Sequence, residues 1–265
     1  MKSKIETEFG KVADHYSAYR PFYPQELFTE IFRSIPSQSF DIAIDVGAGT
    51  GLSTIPLCEK FKTVYAVEPD AHMANVLRKN LTQCCPNTKV YNDLLESITD
   101  FKSQRIDLVS FGTSFYWADG NSIIKKVKEI LDSDGLLAVY RYDFPIVPVK
   151  IRDFINTELS DKWDSFRHER LRDTSYSYRT ITESDAFSNV RLSRIENNVV
   201  LSVDELVGFF TSTSFVSNYL KSLNDPKAYV QNFKEELYRR IGMTDMDIDF
   251  GIELIRAHNG PKNTR

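Results

Sequence analysis

Residues 42–53 read IAIDVGAGTGLS, and this stretch decides the fold. An apolar, β-branched run leads to an aspartate, Asp45, and then to glycines at every second position, Gly47, Gly49 and Gly51. Unbroken apolar runs of this kind are characteristic of parallel strands buried on both faces. Glycines directly behind such a strand permit a tight turn and let the backbone approach a ligand at the mouth of a sheet.

The neighbouring sequence repeats the strand-then-helix pattern. DIAIDV (41–46), TVYAVE (63–68), TKVYN (88–92), IDLVSFG (106–112) and GLLAVYRYD (135–143) read as five strands. Between them LSTIPLCEKF (52–61), DAHMANVLRKNL (70–81) and NSIIKKVKEIL (121–131) have helical spacing, with Pro56 placed where a first turn tolerates a missing N–H. Repeated units of this kind give an α/β fold with a doubly wound, mostly parallel sheet. Residues 1–37 hold two helix-like stretches broken at YRPFYP and form an N-terminal helical cover over the core, residues 38–143. Residues 144–240 form a variable helical lid with a strand at 190–202, and residues 241–265 supply a last strand. No linker or repeat divides the chain, so residues 1–265 read as a single domain.

Composition narrows the partners. With 42% hydrophobic residues the chain has enough apolar content for a sizeable core, and a formal charge of −4 gives no electrostatic footprint for nucleic acid or an anionic membrane. The N-terminus lacks an apolar signal segment, so a cytoplasmic location is expected. Cys58, Cys84 and Cys85 lack the spacing of a zinc site or a disulfide framework, and the four histidines are dispersed; no metal is expected. A small-molecule partner fits best, for a monomer or weak homodimer. Thirteen Tyr and eighteen Phe can enlarge the core or line an aromatic pocket.

A phosphate-cradling loop would need a Lys-Ser or Lys-Thr after the glycines, and none follows. A dinucleotide fingerprint needs GxGxxG, whereas this loop is GxGxG followed by Leu52. Glu68 closes the second strand about twenty residues beyond the loop, where an acidic side chain can accept both hydroxyls of a ribose.

DVGAGTG together with VEPD resembles the first two motifs of class I S-adenosylmethionine-dependent methyltransferases. FGKVADHYSAYRPFYP, YNDLLESI, SFGTSFYWAD and VKEILDSDGLLAVYRYD follow the order of the small-molecule branch called type 11, or trans-aconitate-methyltransferase-like. The resemblance covers residues 9–143 and implies a seven-stranded Rossmann-like sheet with an antiparallel C-terminal strand, and S-adenosyl-L-methionine as cofactor. It brings Asp45, Gly47, Ala48, Gly49 and Gly51 to the methionine part, Glu68 to the ribose and Pro69 beside the adenine. Asp93, Leu95 and Glu96 compete as readers of the adenine edge. Tyr16, Tyr19 and Arg20 match the family's N-terminal cover, with Arg20 a natural partner for the cofactor carboxylate. Gly112 and Thr113 join the cofactor set at the end of strand four.

Transfer of a methyl from a sulfonium is an in-line displacement, so positioning and exclusion of water dominate. The family often has His-Trp after strand four; here Tyr116-Trp117 stands in its place, and a tyrosine is a poor base near neutral pH. Tyr116 is the catalytic candidate. Phe115, Trp117, Arg141, and Ser214, Phe215 and Tyr219 of FFTSTSFVSNY are candidates for the acceptor pocket, with packing under the lid as the alternative for the aromatics. An arginine in the pocket would favour a carboxylate acceptor; the aromatics fit a heteroaromatic methylated on nitrogen or oxygen. An NAD-dependent oxidoreductase and a catalytically silent cofactor-binding protein are the competing readings.

Overall fold

The computed structural model describes residues 18–36, 40–101 and 104–260. Seven strands form one sheet in the order β3-β2-β1-β4-β5-β9-β6. They are β1 (Ile42–Val46), β2 (Thr63–Val67), β3 (Thr88–Tyr91), β4 (Ile106–Gly112), β5 (Leu131–Tyr142), β6 (Phe187–Ile195) and β9 (Ile252–Asn259). The first five pair in parallel, and β9 runs antiparallel between β5 and β6. A second, two-stranded sheet joins β7 (Asn198–Leu201) to β8 (Met246–Asp249). The Rossmann-like sheet expected from the sequence is thus present, with its antiparallel strand.

Alternation along the central strands divides the core. Ile44, Val46, Val109, Phe111, Leu137, Val139 and Ile255 face one side. There they meet Ile123 and Val127 of α4 (Gly120–Ile130) and Ile181 of α7 (Tyr176–Glu183). Ala43, Val64, Leu108, Ala138, Tyr140 and Leu254 face the other, against Leu27 and Ile31 of α1 (Gln25–Arg33) and Leu57 of α2 (Thr54–Cys58). Helix α3 (Ala71–Leu81) starts at Asp70, whose carboxylate accepts from the amides of His72 and Met73; Asp119 caps α4 by accepting from Ser122. Such caps satisfy amides that the first turn leaves without a partner.

The lid is a helical layer with its own apolar cluster. It comprises α5 (Val149–Glu158), a π-turn at Leu159–Trp163, the short α6 (Glu169–Arg172), α8 (Val203–Ser212), α9 (Ser214–Ser222) and α10 (Pro226–Ile241). Trp163, Phe209, Phe210, Phe233 and Phe250 form its centre. Trp163 Nε1 donates to the Tyr229 hydroxyl, which donates in turn to the buried Glu158 carboxylate, so the indole and the acid are both satisfied.

Three expectations change in detail. The helix over 52–61 contracts to Thr54–Cys58, because Gly51–Ser53 are spent on the turn. The strand over 190–202 is two strands, β6 and β7, and the single strand within 241–265 is β8 followed by β9. The second break has a visible cause. Phe250 is buried in the lid cluster and its amide donates to the Asn197 carbonyl at 2.9 Å. The Arg194 guanidinium lies where a Cβ on Gly251 would stand, bridging Asp143 at 2.6 Å and Asp249 at 3.0 Å. The chain therefore leaves the helical layer and enters the large sheet between two neighbouring residues.

Candidate cofactor and acceptor site

At the carboxyl end of β1 the three loop glycines adopt left-handed backbone conformations, with φ of +69°, +57° and +102° at Gly47, Gly49 and Gly51. Gly47 has a second constraint: a Cβ there would overlap the Cβ of Ser114 and come within 2.9 Å of its Oγ. Gly51 is closed from below by Leu77 and Leu81 of α3. The loop is a cradle made by the absence of side chains.

Its amides behave differently from the expectation that they would reach toward a ligand. Gly47 and Ala48 both donate to the Val67 carbonyl, at 2.8 and 3.1 Å, and Gly51 donates to Ala48 at 2.9 Å. Gly49 donates to Glu68 Oε2 at 2.8 Å. Four loop amides are thus turned into the protein.

Asp45 is fully buried, and Oδ2 accepts from the hydroxyls of Ser53 and Thr54, each at 2.7 Å. Burial pushes its carboxyl above the ordinary range, and these hydroxyls, with Ser110, oppose the shift. Asp45 thus anchors the start of α2 under the loop.

Glu68 sits at the rim. Oε2 receives the Gly49 amide and Oε1 the Asp70 amide at 2.8 Å. Burial raises its carboxyl to about 7 against the pull of those two amides. Each carboxylate oxygen has a further lone pair, so the group can still accept from a diol. Pro69 beside it is exposed, and Asn92 Nδ2 holds the carbonyls of Glu68 and Pro69. Of the three adenine candidates, Asp93 is exposed and Glu96 half-buried, whereas Leu95 is 1% exposed and belongs to the core. The Leu95 side chain packs in the core. Its neighbour Leu94, 54% exposed, is the apolar surface next to Asp93.

Beyond β4 the chain turns at Thr113, which takes φ +57° despite being β-branched. Its amide donates to the Tyr140 carbonyl at 2.7 Å and its Oγ1 pairs with the Tyr23 hydroxyl at 2.9 Å. A residue with a side chain held at positive φ costs about 1–3 kcal/mol and concentrates at functional turns. Gly112 is hemmed by Tyr140, Tyr23 and Ser53. Tyr23 stacks on Tyr142 at 4.7 Å, and Tyr142 donates to the Pro21 carbonyl, so YRPFYP is pinned at the ends of β4 and β5.

Tyr116 is 8% exposed and Trp117 half-buried, in a short turn over 115–117. Phe115 is 1% exposed and packs on Phe111 at 5.2 Å and Tyr176 at 6.4 Å, so it is mainly core. Arg170 of α6 donates Nη1 to the Trp117 carbonyl at 3.0 Å and lies 3.4 Å from those of Tyr116 and Ala118; His168 meets the Trp117 ring edge at 5.2 Å. The lid grips this turn by one guanidinium.

A cavity of about 150 Å³ lies beside the turn, bounded by Ser114, Tyr116, Arg141, Tyr178, Leu192 and Glu253 among others. Arg141 lines it. Ser214, Phe215 and Tyr219 do not: they begin α9, where Phe215 sits near Trp163 and under Arg167, and Tyr219 contacts Phe166 and Tyr229. Helix α9 packs within the helical layer. Tyr16 lies outside the described residues. The Tyr19 ring packs where a Cβ on Gly208 would be, and the Arg20 guanidinium stands 5.3 Å over Phe209, so both join the cover to α8.

Sequence reasoning did not single out Ser114, Glu253 or Arg170. A small hydroxyl residue two positions after a strand-ending glycine was the available sign of Ser114. Glu253 and Arg170 depend on long-range pairing and left no local sign. Among the described residues no group of three or more acidic, His or Cys side chains could hold a metal, and no helix is long and apolar enough to cross a membrane.

Comparison with known proteins agrees with this geometry. Residues 44–139 match the model of the type 11 methyltransferase domain. A methyltransferase-named protein of Dictyostelium discoideum is 24% identical over 96% of this chain and 95% of its own length. An uncharacterized methyltransferase of Mycobacterium tuberculosis is 30% identical over 51% of this chain and 52% of that one. Among solved structures, a type II methyltransferase from Anaeromyxobacter dehalogenans shares the fold with a TM-score of 0.73 at 18% identity, covering 92% of this chain and 99% of that one. Phosphoethanolamine N-methyltransferase 2 of Haemonchus contortus, solved with phosphomonomethylethanolamine and S-adenosylhomocysteine, gives 0.55 at 9% identity, covering 96% of this chain and 58% of that one. The three spaced glycines, the rim glutamate and the domain match converge: the chain carries, over residues 44–139, the domain of a class I S-adenosylmethionine-dependent methyltransferase of the type 11 branch.

Proposed function

We propose that the protein methylates a small organic acceptor, at a carboxylate oxygen or at a nitrogen or oxygen of a heteroaromatic ring. The site is where the glycine loop, Glu68 and Ser114 meet. The observation that carries the reading is the inward turn of four loop amides. A pyrophosphate needs such donors aimed at it; a nucleoside sulfonium does not. This counts against the oxidoreductase alternative.

S-adenosylmethionine, when bound, supplies an activated methyl. The chain's own residues position and shield. Glu68 accepts from the ribose hydroxyls, the bare loop lets the nucleoside lie close, and Asp93 and Leu94 border the adenine. Arg20 is offered to the carboxylate of the methionine part. Ser114 and Tyr116 stand at the acceptor side, and Tyr116 can hydrogen-bond the acceptor without serving as a strong base. Holding the two reactants in line and dry provides most of the acceleration. The core, cover and lid act as one domain, in a cytoplasmic monomer or weak homodimer; the −4 charge supports the absence of nucleic acid and anionic membrane among its partners.

The test is turnover. Incubation with methyl-labelled S-adenosylmethionine and a panel of small carboxylates and N-heterocycles is expected to label at least one class of acceptor. Failure with every member at saturating donor would favour a cofactor-binding protein without catalysis.

A further inference from the structure

We infer that the acceptor is a monocarboxylate with one ring-sized apolar body, its carboxylate held by Arg141 in the cavity beside Ser114. This rests on the methyl-transfer reading above and names its substrate class.

Position comes first. Ser114 borders the cavity and also presses on Gly47, so one side chain joins the acceptor space to the cofactor loop. Size comes second. About 150 Å³ is room for a body close to benzene. Val139, Ile255, Leu192 and Tyr178 supply apolar walls.

Charge decides the class. Arg141 and Glu253 are cross-strand partners on β5 and β9, and Arg141 Nε donates to Glu253 Oε2 at 2.8 Å. That bond fixes the guanidinium plane. Among the described residues no hydrogen bond engages its Nη1 or Nη2, although the side chain is only 16% exposed. A fixed planar fork with two open donors matches one carboxylate. A second carboxylate finds no such partner. The nearby Arg194 is committed to Asp143 and Asp249, and Glu253 and Asp143 add negative charge around the fork. Burial, then the charge of Glu253, pushes the Asp143 carboxyl above its ordinary value, against the pull of Arg194 and Arg141.

The chemistry then needs no base. An ionised carboxylate oxygen supplies the electron pair of the new O–CH₃ bond, and the pair of the broken S–CH₃ bond stays on sulfur. The products are a neutral ester and a thioether, and no proton moves.

The test is calorimetric titration of the full chain, saturated with S-adenosylhomocysteine, using benzoate, isophthalate and benzyl alcohol as probes. Benzoate is expected to bind at least tenfold more tightly than either of the others. Arg141→Gln and Arg141→Lys should each weaken benzoate tenfold or more with S-adenosylhomocysteine binding retained. Glu253→Gln should tighten isophthalate several-fold, a gain that misfolding cannot imitate. Isophthalate binding as tightly as benzoate, benzyl alcohol matching benzoate, or an Arg141→Gln protein with unchanged benzoate affinity would each overturn the inference. Absence of S-adenosylhomocysteine binding would overturn it together with the methyl-transfer reading; binding of that cofactor product without the benzoate preference would overturn the substrate class alone.

Discussion

Ser114 and Gly47 are packed so closely that the glycine has no room for a side chain, and the backbone of Gly47 is left-handed as well. Gly47→Ala should therefore combine about 1–2 kcal/mol of backbone strain with about 1–3 kcal/mol of overpacking. The expected result is a lower Tm and at least tenfold weaker S-adenosylhomocysteine binding. Adding Ser114→Gly should recover part of the stability, since it relieves the overlap but not the strain. Equal Tm for the single and double variants would contradict the contact.

Glu68 makes binding and stability depend on pH in opposite directions. Its folded carboxyl titrates at about 7, above the ordinary glutamate value of 4.5, because burial disfavours the charge. The folded state then holds the extra proton between those values, so stability should fall as pH rises from about 4.5 to about 7 and level off above. A ribose diol donates to the ionised form, so affinity for S-adenosylhomocysteine should rise over the upper part of the same window. Glu68→Gln should flatten both profiles, as read by thermal melts and calorimetry from pH 5 to pH 8, on the order of one decade in affinity per unit at most.

Asp45 holds two buried hydroxyls. Asp45→Ala leaves Ser53 and Thr54 without that acceptor, and should cost about 2–6 kcal/mol, at about 1–3 kcal/mol per unsatisfied group. Asp45→Asn keeps an acceptor oxygen and should cost less. Urea unfolding of the two variants measures the difference; an Ala variant as stable as the Asn variant would show that the hydroxyls do not depend on this side chain.

Arg170 ties α6 to the turn bearing Tyr116 and Trp117. Arg170→Ala should raise KM for the acceptor roughly three- to tenfold, the net worth of about one ordinary hydrogen bond on this partly exposed turn, and leave S-adenosylhomocysteine affinity unchanged. Arg170→Lys should restore part of the effect. A change in cofactor affinity with unaltered acceptor KM would place the residue elsewhere in the mechanism.

Strands β1, β2, β4 and β5 were legible because they are largely buried and read as dense apolar runs, whereas the edge strand β3 was legible only as a short β-branched and aromatic stretch. The break at Phe250-Gly251 was not, since its cause is Arg194, 57 positions earlier, crossing the glycine. In the site, Glu68 and the spaced glycines were legible by chemistry and spacing. The burial of Leu95 and Asp45 was not legible, because side-chain direction beside a turn depends on the turn's own geometry, which local pattern does not fix. That Phe215 and Tyr219 of α9 pack against the lid cluster was not legible either, because aromatic content serves the lid's own core as readily as a pocket.

The central claim is that the loop and Glu68 bind an adenosyl sulfonium-type cofactor rather than a dinucleotide. Calorimetric titration of the purified chain with S-adenosylhomocysteine and with NAD tests it most directly. S-adenosylhomocysteine should bind, with affinity reduced in Glu68→Ala, while NAD gives no heat of binding; tight NAD binding with no response to S-adenosylhomocysteine would contradict the account.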